Sequence, residues 1–392
     1  MKIGRIQLYP IAIPRETGVS NQHVIVRLET DDGLVGWGEM SDLSHVPMYQ
    51  FDLSDLERVL SELLSGKDAR NVVQIEDDLI RFFPDEGHMY SRSGLVRQGI
   101  DLALHDLLGR ANGVSAHMLL GGKLRDRIKV CYPIFRMRTM EHVEPNLERV
   151  KAKLAEGFDL FRVYVGANLD ADAAFLGKFA EQFRGSAAIK SLDFSNLLDW
   201  RRALNATVRL SELAEVMLIE SPAARNDLEG LAEFRRRSKY PVSEHVQHLT
   251  HAWHMLREGS VDILNVSPYV LGGLRACQRV IALAEAAHAS ILIGTTQELN
   301  LGTAAVAHLG AAARVLDYPC DSTGPRLYVQ DIVKQPVSYQ AGYLNVPTGS
   351  GLGIEVDEAV LKEAGHAAHW TFGNDLSGIL DRTPPATSRQ AL

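Results

Sequence analysis

From about Leu124 onward, short apolar runs alternate with amphipathic stretches, and this rhythm constrains the fold more than any other feature of the chain. The apolar runs are KVCYPIF, LFRVYVG, AIKSLDF, VMLIESPA, YPVSEHV, VDILNVS, ASILIGT and VLDYPCDSTGP. Stretches of helical period such as VEPNLERVKAKLAEG, WRRALNATVRLSELAE and LRACQRVIALAEAA separate them. Strands spaced by helices of this length form βαβ units and a parallel sheet. Seven or eight such units in succession, with no GxGxxG after the first strand, predict a closed barrel rather than an open doubly wound sheet. The expected fold is therefore α/β, with a (β/α)7β-type TIM-like barrel over residues 125–355.

The chain has 392 residues, and a barrel takes roughly 250, so a further domain is required. The first part of the chain supplies it. IGRIQLYPIAI, HVIVRLET and LVGWGE alternate in the manner of strands, and Asp31-Asp32-Gly33 reads as a hairpin turn between the last two. The period then becomes helical through LSDLERVLSELLSG, VVQIEDDLIRFF and VRQGIDLALHDLLGRANG, the last ending on Asn112-Gly113. Residues 1–124 thus form an α+β domain. Residues 356–392 form a C-terminal segment returning toward it, whose end, TPPATSRQAL, reads as poorly ordered.

Net charge is −8, which argues against nucleic acid or an anionic membrane as a partner. An anionic substrate would then need a local positive centre, such as a divalent cation. Cys131, Cys277 and Cys320 make neither a disulfide framework nor a CxxC pair, and read as buried reduced thiols. With no run of signal-peptide or membrane-span length, a cytoplasmic location is expected.

Three acids close consecutive predicted strands: Asp193 in IKSLDF, Glu220 in MLIESP and Glu244 in PVSEH. They stand about one βα unit apart, which in a barrel brings them to the catalytic face. Taken singly, each could be a helix N-cap or an ion-pair partner. Three together repel, and a hard divalent cation with oxygen ligands would relieve that repulsion.

With LVGWGE near the start, GIDLALHDLLGRANGVSAHMLLGG before the barrel, IESP, the Gly272-Gly273 pair and GTTQELNLGTAAVAHLGAA, the chain resembles the enolase superfamily, in its mandelate racemase and muconate cycloisomerase branch. The resemblance spans about residues 2–356. It implies that the N-terminal domain caps the barrel mouth and that Asp193, Glu220 and Glu244 hold Mg²⁺. It also implies that a proton is removed α to a carboxylate, with the metal stabilising the enediolate, and that the protein is a homo-oligomer, a dimer or octamer.

The bases of the family are missing. Where a Lys-x-Lys pair closes the second barrel strand, this chain has Arg162-Val163-Tyr164. Ser267 stands at the sixth-strand base position, and Gly294-Thr295-Thr296-Gln297 replaces the seventh-strand histidine. Arg162 and Tyr164, two apart on one strand, point the same way. Tyr164 is thus a candidate acid or base assisted by Arg162; alternatively both orient the substrate carboxylate. His245, beside Glu244, is a general acid or base, or supports the metal site. Asp321 is expected to contact substrate or to form an Asx-turn before Gly324-Pro325. Ser195, Asn196, Ser267, Thr296, Gln297 and Glu298 are candidate substrate-binding groups. Glu16, Asn21, His45 and Tyr49 fall in loops expected over the mouth. His248, His251 and His254 recur at helical spacing without HExxH and are expected outside it.

The polar lining suits an acid-sugar dehydratase as the main reading. The alternatives are a cycloisomerase, racemase or epimerase of a carboxylate, and a metal-binding barrel without the usual catalysis.

Overall fold

A computed structural model of the protein describes residues 1–18, 20–41, 43 and 52–367; His45, Tyr49 and the C-terminal TPPATSRQAL lie outside them. Three antiparallel strands open the chain: β1 (Ile3–Pro14), β2 (Ser20–Thr30) and β3 (Val35–Met40), in the order β1-β2-β3. Gly33, at φ 83°, turns the β2–β3 hairpin. Helices α1 (Leu53–Leu64), α2 (Val72–Phe82) and α3 (Arg92–Asn112) follow. Asp52 and Ser91 cap the first and third through side-chain oxygens on the free N–H groups. Gly113 ends α3 in the left-handed region, at φ 67°.

Helix α3 is buried on nearly every face from Ser93 to Gly109, because it lies between the first sheet and the rest of the molecule. Its glycines make that position possible. A Cβ on Gly38 of β3 would stand 2.0 Å from the carbonyl oxygen of Gly99, so sheet and helix meet backbone to backbone.

After the short α4 (Ala116–Leu119) come β4 (Arg127–Lys129) and β5 (Tyr132–Ile134); the strand expected at KVCYPIF takes in the last residue of the first and the whole of the second. The alternation is then regular: α5 (Val143–Ala155), β6 (Leu160–Tyr164), α6 (Leu169–Gln182), β7 (Ala188–Asp193), α7 (Trp200–Ser211), β8 (Val216–Glu220), α8 (Leu228–Arg237), β9 (Val242–His245) and α9 (Leu249–Arg257). It continues through β10 (Ile263–Val266), α10 (Pro268–Leu271), α11 (Leu274–Ala286), β11 (Ser290–Ile293) and α12 (Asn300–Ala312). Strands β5 to β11 are parallel neighbours in sequence order. The segment 318–321 bridges the two ends of this curled sheet. Asp321 N–H donates to Ile293 O at 2.9 Å on one side, and Cys131 N–H donates to Cys320 O at 2.9 Å on the other. The result is a (β/α)7β TIM-like barrel with an N-terminal cap. Short strand β12 (Tyr339–Gln340) pairs with β13 (Tyr343–Asn345), which pairs with β4, and α13 (Glu358–Ala367) packs on β1.

The barrel is filled in layers. Leu218, Ile263 and Leu292 form a small apolar cluster at its base. Two residues further along the same strands the lining turns polar, with Glu220 and Asn265. This change of lining, at the C-terminal ends of the strands, sets the level of the site.

Glu39, from β3, ties cap to barrel. Its carboxylate accepts from the backbone N–H of Leu299 and of Gly302, both at 2.8 Å, at the N-terminus of α12. An anion is favoured there because the free N–H groups and the helix dipole both point at it. His23 Nδ1 lies 3.0 Å from the same carboxylate, and its Nε2 lies 3.1 Å from the Tyr328 hydroxyl.

Candidate active site

A cavity of about 380 Å³ opens at the C-terminal ends of the strands. Tyr164, Arg162, Asp193, Ser195, Asn196, His245, Thr295, Thr296 and Gln297 all line it, so most of the residues expected from the sequence do meet. Ser195, Asn196, Ser221 and Gln297 hold left-handed backbone at φ 48°, 57°, 50° and 77°. Such strain in non-glycine residues concentrates where a site has to be shaped.

Arg162 is the electrostatic centre. Its buried guanidinium lies 2.8 Å from Asp321 Oδ2, 3.6 Å from Glu220 Oε1 and 3.7 Å from Asp193 Oδ2. Burial alone would lower its pKa, but these three carboxylates hold it firmly protonated. Its Nε is buried without a hydrogen-bond partner. Asp321 also accepts from Lys190 Nζ at 2.6 Å and from Cys131 Sγ at 3.0 Å. Its oxygens are thus committed to protein donors, so it positions Arg162 and Lys190 rather than forming an Asx-turn at the cavity wall.

Asp193 and Glu220 are paired across β7 and β8 and are both buried. Burial and the neighbouring Glu220 charge push the Asp193 carboxyl up to about 6. Burial would raise Glu220 too, but Arg162 and His245 more than offset this and hold it well below the usual carboxylate range. His245 Nε2 stands 3.4 Å from Glu220 Oε1 and 3.4 Å from Asn265 Nδ2, while its Nδ1 has no partner. Burial alone would depress this imidazole, and the Glu220 carboxylate lifts it above the ordinary histidine value.

Glu244 departs from the expected triad. It is one residue past Ser243, which is level with Glu220, and strand alternation turns it away from the barrel axis. Its carboxylate accepts from Ser221 Oγ at 2.8 Å, Asn196 Nδ2 at 2.8 Å and the His245 N–H at 2.8 Å. The inward position at the end of β9 belongs to His245. Among the described residues, no three His, Cys, Asp or Glu side chains converge as a metal would require. Asp193 and Glu220 present hard oxygens side by side, but the third carboxylate is engaged elsewhere and a guanidinium reaches both acids. The residues as arranged do not fit a three-carboxylate Mg²⁺ site.

Glu298 and Ser267 also lie behind the wall. Glu298 accepts from the Thr295 hydroxyl and from Thr296 N–H at 3.0 Å, and burial pushes its carboxyl up to about 7. Ser267 is buried and donates to Asn265 Oδ1 at 3.4 Å. Of the expected lid residues, Asn21 is buried in β2 and Glu16 lies 3.2 Å from Lys153 Nζ. His248 caps α9, with His251 and His254 following on that helix behind the strands.

Sequence reasoning missed the arginines. Arg15, Arg136, Arg138 and Arg225 line the cavity with Arg162, against Asp193 as the one lining acid among the described residues. Arg136 stands two residues past β5, where the rule that sites form at the C-terminal ends of barrel strands could have flagged it.

The chain matches the family model for the enolase C-terminal domain-like fold over residues 146–360. Residues 3–121 match the model for the mandelate racemase / muconate lactonizing enzyme N-terminal domain. It is similar to muconate cycloisomerase 1 of Rhodococcus opacus, at 29% identity over 348 residues, covering 86% of this chain and 90% of that protein. It is similar also to the L-Ala-D/L-Glu epimerase of Bacillus subtilis, 26% identical over 376 residues, covering 92% and 99%. The crystal structure of muconate cycloisomerase from Pseudomonas fluorescens superposes with a TM-score of 0.83 at 26% identity, covering 92% and 98%.

Proposed function

Since the chain belongs to the enolase superfamily, in its mandelate racemase and muconate lactonizing enzyme branch, we propose that it moves a proton at the carbon α to a carboxylate and returns an isomer of its substrate, as a racemase, epimerase or cycloisomerase. The cycloisomerase and epimerase among its relatives support an isomerase over the acid-sugar dehydratase suggested by the polar lining. The observation that carries the reading is the placement of two proton carriers, Tyr164 on β6 and His245 on β9, along one cavity that also presents a buried arginine.

In this reading the substrate carboxylate meets Arg162, a buried cation that lines the cavity. Charge developing on that carboxylate as the α-proton leaves is met by the same guanidinium, which Asp321 holds in place. Preorganised charge of this kind costs no rearrangement during the reaction. His245, oriented by Glu220, takes or returns the proton, and Tyr164 serves the other proton position. Mg²⁺ as the cofactor rests on the superfamily alone. With Glu244 held by Ser221 and Asn196, no step is assigned to it.

Incubating small chiral carboxylates, N-acyl amino acids and sugar acids with the protein in D₂O tests the reading by NMR. Exchange at the α-carbon with formation of an isomer is expected. His245→Asn and Tyr164→Phe should each slow it by about 10²–10⁴-fold. The wild-type rate should climb with pH through a midpoint above the ordinary histidine value, since His245 must be neutral to accept a proton. A keto-deoxy product without isomer, or no exchange across the whole panel, would overturn the isomerase assignment.

A further inference from the structure

The wall of the cavity is not all barrel. Residues 83–91, which join α2 to α3 in the cap, reach its rim, and none of the loops expected over the mouth includes them. The segment is braced at its base. Arg97 Nη1 donates to Phe83 O at 2.9 Å, and the Ser93 N–H and hydroxyl donate to Glu86 Oε1 at 3.0 and 2.7 Å. Gly87, at φ 63°, turns it, and Arg225 of the barrel bonds the His88 ring. Met89 follows, half-buried, and lines two spaces at once: the main cavity, and a side recess of about 10 Å³ beside the start of α8. A recess of that size has room for about one water molecule.

Among the described residues, four border both spaces: Met89, Asn196, Arg225 and His245. Three of them are tied. Asn196 Nδ2 donates to Ala223 O at 3.0 Å and to Glu244 Oε2 at 2.8 Å, Arg225 bonds His88, and His245 Nε2 lies 3.4 Å from Glu220 Oε1. Met89 has no polar side-chain donor to tie, and its unbranched thioether adapts to the space around it. The recess beyond suits an apolar guest. Ala224, Leu228 and Leu231 line it, and polar groups there are satisfied within the protein: Gln247 Nε2 donates to Asn226 Oδ1 at 2.6 Å, and Asp227 Oδ1 accepts from the Gly230 N–H at 2.8 Å. We propose that Met89 sets the length of substrate this protein takes, by closing a recess next to His245 that would otherwise hold the end of a longer alkyl or acyl chain. This rests on the cavity being the substrate site proposed above, with the proton moved at His245.

Calorimetric binding of butyrate, hexanoate and octanoate to the full-length protein and to Met89→Ala tests this without requiring turnover. Wild-type affinity should level off as the chain lengthens. In Met89→Ala the octanoate-to-butyrate affinity ratio should stand about tenfold or more above the wild-type ratio, since each methylene that enters an apolar recess adds to binding. Met89→Val, which opens the partition less, should give an intermediate ratio and serves if the Ala variant does not fold. Met89→Leu, close in volume to the native side chain, should keep the wild-type ratio. A ratio within about twofold of wild type in both the Ala and the Val variant, or no measurable octanoate binding to either, overturns the proposal. Proton exchange without a change in length preference would sink this inference alone, and a change in length preference without exchange would sink only the isomerase reading.

Discussion

At the scale of single residues, the site is an arrangement of buried charge. Among the described residues, Asp321 is the one carboxylate that holds both Arg162 and Lys190 at hydrogen-bond distance. Removing its charge leaves two enclosed cations short of a partner, which typically costs about 3–5 kcal/mol. Asp321→Asn should lose stability of that order in urea unfolding, and adding Lys190→Met should restore part of it; a loss below about 1 kcal/mol would show that the pair is not held as described. Arg162 and Tyr164 were legible because they close an apolar strand two residues apart. Glu244 and His245 were harder, since adjacent residues on a strand point opposite ways and only the observed register decides which one faces inward. Lys190 reaches the interior because the β6–β7 pairing slips between Phe161 and Arg162, an irregularity that leaves no mark in composition or period.

At the scale of elements, the alternation of strands and helices was readable almost throughout, because its period comes from burial on one face. The departures have local causes. Pro268–Leu271 forms a short extra helix ahead of Gly272, whose φ of 88° ends it, between the strand VDILNVS and the helix LRACQRVIALAEAA. Helix α3 carries little helical periodicity in its burial because it is covered all round. Its contact with β3 predicts a sharp response: Gly38→Ala would drive a methyl into the Gly99 carbonyl and the Ala103 N–H. Overpacking costs typically 1–3 kcal/mol, and the backbone target here puts the expected loss at the upper end. Thermal unfolding should show a drop of several degrees, whereas an unchanged melting temperature would mean that sheet and helix separate freely.

At the scale of the whole molecule, a chain of net charge −8 carries a cavity lined, among the described residues, by five arginines and one acid. Overall charge thus says little about the field a substrate meets. The cap and barrel are joined where Glu39 accepts the two N–H groups at the start of α12. Glu39→Gln would replace one accepting oxygen by a donor facing those N–H groups. It should cost about 1–3 kcal/mol and lower activity along with stability, because the same helix follows Thr295–Gln297. Full activity at normal stability in that variant would show that cap and barrel are independent.

That joint continues one step further, through His23 to the Tyr328 hydroxyl, which donates to the Gln297 carbonyl at 2.7 Å. For anyone recombining this chain with a homologue, Glu39, His23, Tyr328 and Gln297 behave as an inherited cassette. A crossover placed between the two halves has to carry all four from one parent, or the hybrid will misplace a wall of its own reaction chamber.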